Sequence, residues 1–355
     1  MTTLTDEPLG TTPRVQLTNR TLPRTAPLIS AAGAVVLALV LNVTTGVQGV
    51  AGTAVVAVIA YVIGQTAWSF AVEGRRHAFD RLATTLVYAT FVAALAALVA
   101  ILTVTVLKGL DALTLDFFTN TMRNVSARRA GGGISHALVG TLEQVLIAAA
   151  IAVPVGIMTA VYLVEYGRGK ALTKAISFFI DVMTGIPSII AGLFIYTFWV
   201  LTLGFERSGF AGSLALTILM VPTVVRATEE MLRIVPNDLR EASLALGIPK
   251  WRTVLKIVIP TALSGIITGV MLAVARVAGE TAPLLLTTFL SQSMNWNPFS
   301  GSQASLPTFV WDQIASGTQA SLNRAWAGAL VLIALVMLLY LGARVVARLF
   351  APKKS

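Results

Sequence analysis

An arginine and a glutamate lie four residues apart inside an otherwise apolar stretch of this chain. The segment VARVAGETAPLLL, residues 274 to 286, carries Arg276 and Glu280 among small and aliphatic side chains. Arginine presents a planar fork of hydrogen-bond donors that matches the oxygens of a phosphate or a carboxylate. A carboxylate beside that fork can hold it in place, and it can accept a hydrogen bond from an anion that keeps a proton. The two residues therefore suit either an oxyanion site or a pair that only neutralises itself.

The order of the two charges bears on this choice. An isolated arginine in the middle of a membrane costs on the order of 2.5 to 3.5 kcal/mol on insertion scales, so something must offset it. Residues four apart on a helix are neighbours, but the stabilising order places the acid before the base. Here Arg276 comes first. This order weighs against a pair with a purely structural role.

The elements that must position these residues are membrane-spanning helices. Of the 355 residues, 56% are hydrophobic and only 12% are charged, against roughly 25% charged in globular proteins. Apolar runs of about 20 residues, enough to cross a bilayer as helix, recur along the chain. They predict an all-α integral membrane protein with about eight spans, near residues 28–45, 50–71, 82–107, 138–163, 175–201, 211–226, 260–290 and 325–350. Pro154 and Pro187 predict kinks, and the run at 211–226 is short and carries Pro222.

The distribution of basic residues predicts the orientation of these spans. If the N-terminus is inside, most of the 26 Lys and Arg residues fall in cytoplasmic segments, as is usual for membrane proteins. Residues 1–27 are too long and too weakly patterned for a signal peptide, so we expect a cytoplasmic tail. Residues 351–355 are expected to form a cytoplasmic C-terminus.

Several functions are not expected from the composition. The net charge of +10 is spread over several loops, which does not indicate a nucleic-acid partner. The chain has no cysteine, and His77 and His136 fall on opposite sides of the predicted topology, so we expect no metal site. The segment GRGK at residues 167–170 lacks the spacing of a phosphate-binding P-loop. We therefore expect no catalytic residue and no cofactor in this chain.

One cytoplasmic segment, residues 227–260, is charged yet periodic, and we call it the coupling loop. Asn237 or Asp238 can cap a short amphipathic helix, which Gly247 and Pro249 would end. Such a helix can lie in the lipid interface or insert into a groove on a soluble partner. Its composition leaves both alternatives open.

The spacing of residues in the coupling loop resembles the EAA loop of ABC importer permeases. Glu241, Ala242 and Ser243 are followed after three residues by Gly247, and after nine more by Ile257-Val258-Ile259-Pro260. Ser243 replaces the second alanine of the family pattern, Ile259 replaces a leucine and Ser264 replaces a frequent proline. The resemblance implies a helix that docks into an ATP-binding subunit through Glu241, Ala242, Ser243, Gly247, Trp251 and Pro260.

Two further segments are similar to the permeases of phosphate importers. ARVAGETAPLLLT, residues 275–287, resembles the R-x-x-GETAPLL segment of the PstA subunits, whereas PstC subunits usually read GETMA; GIPSIIAGLF, residues 185–194, resembles a segment that both share. The likeness is densest from about residue 138 to residue 290. It implies a type I importer permease domain at residues 72–350, with a six-helix core at 82–350, and two additional helices at residues 28–71.

The resemblance implies a function as one permease subunit of an ATP-driven phosphate importer in a bacterial cytoplasmic membrane. We expect the substrate path to include Arg276, Glu280, Thr281, Ser188 and Asp181, with Glu143 as a weaker candidate. The implied partners are a PstC-like permease, a PstB-like dimer that binds ATP and Mg, and an external PstS-like phosphate-binding protein, besides membrane lipid. The alternatives are a permease for another oxyanion such as sulfate or molybdate, a PstC-type subunit, and a secondary anion carrier.

Overall fold

The computed structural model describes residues 21–45, 49–167 and 169–349, and all regular structure in these ranges is helical. Residues 1–20 of the predicted tail and the predicted C-terminus at 351–355 lie outside the described residues. The helices are α1 (Ala26–Thr45), α2 (Val50–Glu73), α3 (Arg75–Leu110), α4 (Leu115–Thr119), α5 (Ser135–Val161), α6 (Ala171–Thr184), α7 (Ser188–Ile195), α8 (Gly209–Ile234), α9 (Asn237–Ala245), α10 (Lys250–Thr253), α11 (Ile259–Ala278), α12 (Ala282–Thr287), α13 (Leu306–Ser316) and α14 (Gln319–Leu349). Wider π-helical turns follow α5, α7 and α10, at Tyr162–Tyr166, Tyr196–Thr202 and Val254–Val258.

Among the described residues, seven helices are long and apolar enough to cross a membrane. The pair α6 and α7 makes an eighth if it counts as one span, although it is bent by 106° at a short break. The all-α membrane fold with about eight spans is therefore confirmed. The single span expected at 175–201 is instead two helices, because Pro187 has no N–H to donate and forces the preceding residue out of helical geometry.

Two other spans also differ from their predicted bounds. The short run at 211–226 is the N-terminal part of α8, whose last turns carry polar residues that a hydropathy pattern excludes. The run at 260–290 is interrupted, since α11 ends at Ala278 and α12 begins at Ala282. Pro154 and Pro222 lie inside continuous helices. Apolar content alone thus located the membrane segments but not the points where helices begin and end.

The chain divides into two compact units, one up to Ile101 and one from Leu102 onward. In the N-terminal unit α1 packs against α2. A polar cluster in this unit forms around the buried carboxylate of Glu73. This carboxylate accepts hydrogen bonds from Leu22 N at 2.7 Å, Ser69 Oγ at 2.6 Å and Arg81 Nη2 at 2.7 Å. No observation assigns the predicted domain boundary at residue 72, which remains a prediction.

In the C-terminal unit, α8 is the central helix and packs against α5, α6, α7, α11 and α12. Small residues allow close approach, as is common between helices in membranes. A methyl group on Gly156 would lie 2.6 Å from Val224 Cγ1, and one on Gly269 would lie 2.5 Å from Ala227 Cβ. Glycine at both positions therefore lets α5 and α11 pack tightly against adjacent turns of α8.

A buried arginine organises the loop between α4 and α5. Arg324, near the start of α14, is only 4% exposed. Its guanidinium donates to the backbone oxygens of Ala127 at 3.0 Å and Arg129 at 2.7 Å, and to Gln313 Oε1 at 2.7 Å. The loop with the glycine run at 131–133 is thereby held to α13 and α14.

Candidate functional site

The coupling loop forms the helix that the sequence predicts. α9 covers Asn237–Ala245. Its N-cap is Pro236 and no side chain caps it, so the cap expected from Asn237 or Asp238 is wrong, because both residues already lie in the first turn. Gly247 has a φ of 73°, in the left-handed region that glycine adopts at no steric cost. Its N–H donates to the carbonyl of Leu244 at 2.9 Å, which closes the last turn. α10 then begins at Lys250, directly after Pro249.

The serine that departs from the EAA pattern makes a specific bond. Ser243 Oγ lies 2.8 Å from Thr253 Oγ1, and both side chains are buried. This bond joins α9 to α10 across the turn at Gly247. An alanine at 243 would fill the same position without joining the two helices, so the departure adds a cross-link within the loop.

A buried ion pair ties α9 to the transmembrane helices. Arg240 Nε donates to Glu165 Oε1 at 2.9 Å, and the two side chains are 11% and 5% exposed. Arg240 also donates to the backbone oxygens of Leu232 at 2.8 Å and Val235 at 2.6 Å. These carbonyls lie at the end of α8, where the helix leaves acceptors without partners. Arg240 therefore connects α9 to α8 and to the π-helical turn after α5.

The opposite face of the coupling loop is exposed and does not pack against the rest of the described chain. Glu241, Ala242, Gly247 and Pro260 are exposed. Leu246 and Trp251 are 79% and 55% exposed, although both are large and apolar. Of the predicted coupling residues, only Ser243 is buried. The loop thus presents one face for anchoring within the chain and another for a partner.

Arg276 and Glu280 lie at the break between α11 and α12. The N–H groups of Gly279 and Glu280 close the end of α11 by donating to the carbonyls of Arg276 and Val277, at 3.3 and 3.1 Å. Arg276 is exposed and Glu280 is half-buried. Among the described residues, no ion pair within 4.0 Å and no side-chain hydrogen bond involves either of them. The self-neutralising pair is therefore absent from this conformation.

Ser188 lies close in the fold to that break. It is the first residue of α7, follows Pro187 and is half-buried. A methyl group on Gly192 would lie 2.5 Å from the Cα atom of Pro283, so α7 and α12 run in close contact. Thr281 immediately precedes α12. The structure thus brings the helix that starts at Ser188 beside the segment that carries Glu280 and Thr281.

Asp181 belongs to a different cluster of charges. Its carboxylate is 66% exposed and pairs with Arg226 of α8. Arg226 also pairs with Glu229 at 2.7 Å, and Glu229 with Arg233 at 2.6 Å. This chain of charges joins α6 to α8. It gives Asp181 a bond within the protein, and its role in a substrate path stays a prediction.

Glu143 has a partner too. Its Oε2 atom accepts from Gln303 Nε2 at 2.6 Å, and Gln303 Oε1 accepts from buried Gln144 at 3.1 Å. Neither this cluster nor the pair of Arg240 and Glu165 was found from the sequence. An acidic residue at the end of an apolar run was the available signal for Glu165, but its partner lies 75 residues away.

Comparison with known proteins defines the class. Residues 152–355 match the family model of the binding-protein-dependent transport system inner membrane component. This match covers more than half of the chain, and the chain is therefore a multi-span transport permease subunit, a transporter rather than an enzyme.

Its relatives narrow the class further. The chain is 47% identical to the phosphate transport system permease protein PstA 1 of Mycobacterium tuberculosis over 77% of its own length and 90% of the relative's. It is 49% identical to PstA of Mycobacterium leprae, with 74% and 86% of the two chains covered, and 42% identical to PstA of Yersinia pestis, with 78% and 91% covered. The chain belongs to the PstA family of phosphate transport system permease proteins.

Proposed function

We propose that this chain forms one half of the membrane path of an ATP-driven phosphate importer. The observation that carries the proposal is Arg276, whose guanidinium is exposed and unpaired within the described residues, in a segment that resembles the R-x-x-GETAPLL of PstA subunits. Family membership supports phosphate as the substrate. A cation inside an apolar region that has no protein partner is suited to a transient anionic one.

Each residue at the break has a proposed task. Arg276 offers its fork to two phosphate oxygens, and Glu280 accepts a hydrogen bond from a phosphate that keeps a proton. The hydroxyls of Ser188 and Thr281 supply further donors. A fully ionised competitor such as sulfate would meet the Glu280 carboxylate without a proton to share. This difference would favour phosphate over sulfate.

The coupling loop transmits the motion of the ATP-binding subunit to the transmembrane helices. The exposed face with Glu241, Leu246 and Trp251 docks into an ATP-binding subunit, and closure of that subunit's dimer moves α9. Because Arg240 joins α9 to Glu165 and to the end of α8, the movement passes into α5 and α8. No step of ATP hydrolysis takes place in this chain; ATP and Mg are bound by the partner ATPase.

The proposed assembly contains three further kinds of subunit. A second, PstC-like permease completes the path, a PstB-like dimer hydrolyses ATP, and a PstS-like protein delivers phosphate from outside. The distribution of Lys and Arg supports a cytoplasmic location for both termini. The membrane is then the bacterial cytoplasmic membrane.

The proposal is tested by reconstituting the chain into liposomes with and without its partner subunits. Radiolabelled phosphate uptake is expected only with the complete assembly and ATP, and excess unlabelled sulfate should leave it unchanged. Uptake by the chain alone would instead identify a secondary anion carrier. Competition by sulfate or molybdate as strong as that by phosphate would identify a general oxyanion permease.

A further inference from the structure

The N-terminal unit contains an apolar groove that the proposed transport function does not use. It has a volume of about 700 Å³ and is lined by α2, α3 and Pro27, at the start of α1. Most of its lining is aliphatic, with Val55, Val58 and Ile59 on one wall. Ala89, Ala93 and Ala96 line the wall formed by α3, and their small side chains give the groove its depth.

The groove runs along the helices and not across them. Its lining on α3 extends from Arg81 to Ala96, which corresponds to about 22 Å of helix at 1.5 Å per residue. Both helices are candidate membrane spans, and a bilayer has a hydrocarbon core of about 30 Å. The length and direction of the groove fit one extended acyl chain.

One end of the groove is basic. Arg81 lines it there, and its side chain is 32% exposed. The bonds to Glu73 use Nε, at 2.6 Å, and Nη2, at 2.7 Å. Nη1 keeps its two donors, and exposed Arg75 and Arg76 begin the same helix. Basic pockets between transmembrane helices at a membrane surface are suited to anionic lipid head groups.

We propose that this groove binds an anionic phospholipid, with an acyl chain between α2 and α3 and its phosphate on Arg81. The combination of a long apolar wall and a cation at one end matches the two parts of such a lipid. Residues 1–20 of this chain are a poor alternative occupant because they contain no run of consecutive aliphatic side chains. The lipid would then join two spans that have little direct packing with each other.

Native mass spectrometry of the full-length chain tests this proposal. The chain is incorporated in nanodiscs of phosphatidylglycerol and phosphatidylcholine with identical acyl chains, then released and weighed. One cationic contact is worth about 1 kcal/mol, so phosphatidylglycerol should be retained about fivefold more often than phosphatidylcholine. Equal retention of the two lipids would remove the proposed role of Arg81.

A pair of matched variants locates the site. Ala96→Phe fills the groove and should abolish the preferential retention. Ala94→Phe adds the same ring to an exposed position about 200° around α3, and it should retain lipid as the native chain does. Equal behaviour of the two variants would overturn the proposal. So would a photo-crosslinker at Ala96 that captures a protein subunit of the assembled complex in place of lipid.

Discussion

Two arginines of this chain differ in how they are bonded: Arg240 of the coupling loop has partners, and Arg276 at the end of α11 has none among the described side chains. Arg240 is largely buried, is bonded to Glu165 and donates to two carbonyls at the end of the preceding helix. Arg276 is exposed and, in the described part of the chain, has neither an ion pair nor a side-chain hydrogen bond. Both arginines lie in segments that resemble conserved patterns of one transporter family. The first is used to hold the protein together, and the second is left available.

This difference separates two reasons for placing an arginine in a membrane protein. A buried ion pair that is fully hydrogen-bonded fixes geometry, and removing one partner leaves a charge in a region of low dielectric. An unpaired arginine in a span contributes nothing to geometry and must be retained for another purpose. The following substitutions should therefore give distinct outcomes at the two sites.

The largest expected effect is on transport, at Arg276. Arg276→Gln should reduce phosphate uptake by the reconstituted assembly to background, because it removes the fork of donors proposed to hold the phosphate. Assembly and thermal stability should not change. Arg276→Lys keeps the charge but loses the bidentate geometry, and we expect about a tenfold or greater loss of uptake.

Arg123→Gln is the matched control for this experiment, since Arg123 is exposed in the loop between α4 and α5 and lies outside the proposed path. It should transport phosphate at the native rate. If Arg276→Gln failed to assemble, the residue would have a structural role and the contrast with Arg240 would disappear.

The second expected effect is on stability and coupling, at Glu165 and Arg240. Glu165→Gln or Arg240→Gln should each destabilise the assembled complex by about 3–5 kcal/mol, because each leaves one charge buried without its partner. The double substitution should cost less than the sum of the two. Thermal unfolding measures the stability of the single and double variants. The ratio of phosphate imported to ATP hydrolysed measures coupling, and it should fall in the double variant.

Arg233→Gln provides the comparison. Arg233 pairs with Glu229 but is 68% exposed, and such pairs contribute about 0–1 kcal/mol. A double variant at 165 and 240 that stays fully coupled would show that the ion pair stabilises the loop without transmitting its motion.

The smallest expected effect is at the serine of the EAA-type pattern. Ser243→Ala restores the alanine of the family pattern and removes the bond to Thr253. The loss should be about 0.5–1.5 kcal/mol in thermal unfolding, with uptake retained. Thr253→Val removes the same bond, so the double variant should be little worse than either alone. Additive losses would indicate that the two hydroxyls act separately.

The helix in the coupling loop was predictable because its ends are set by local sequence. Pro236, Gly247 and Pro249 each influence the local backbone conformation, so the region of α9 follows from the local sequence. The break at Pro187 was predictable for the same reason, but the 106° bend was not. That angle depends on the packing of α7 against α12, which no local rule contains.

The pairing of charges was not predictable. Glu165 and Arg240, Asp181 and Arg226, and Glu143 and Gln303 are each joined across at least 45 residues of sequence. A single sequence gives the types of these residues but not their distances. The unpaired state of Arg276 is also a property of the fold, because Glu280 stood at a spacing where a pair could form.

The glycine contacts of α8 have a mechanical consequence. With Gly156 against Val224 and Gly269 against Ala227, α5 and α11 both lie in close contact with α8. We therefore expect these three helices to move together. The interruption at residues 279–281 directly follows α11 and borders this group of helices, so we expect bending there, at the segment that joins the residues proposed to hold the anion.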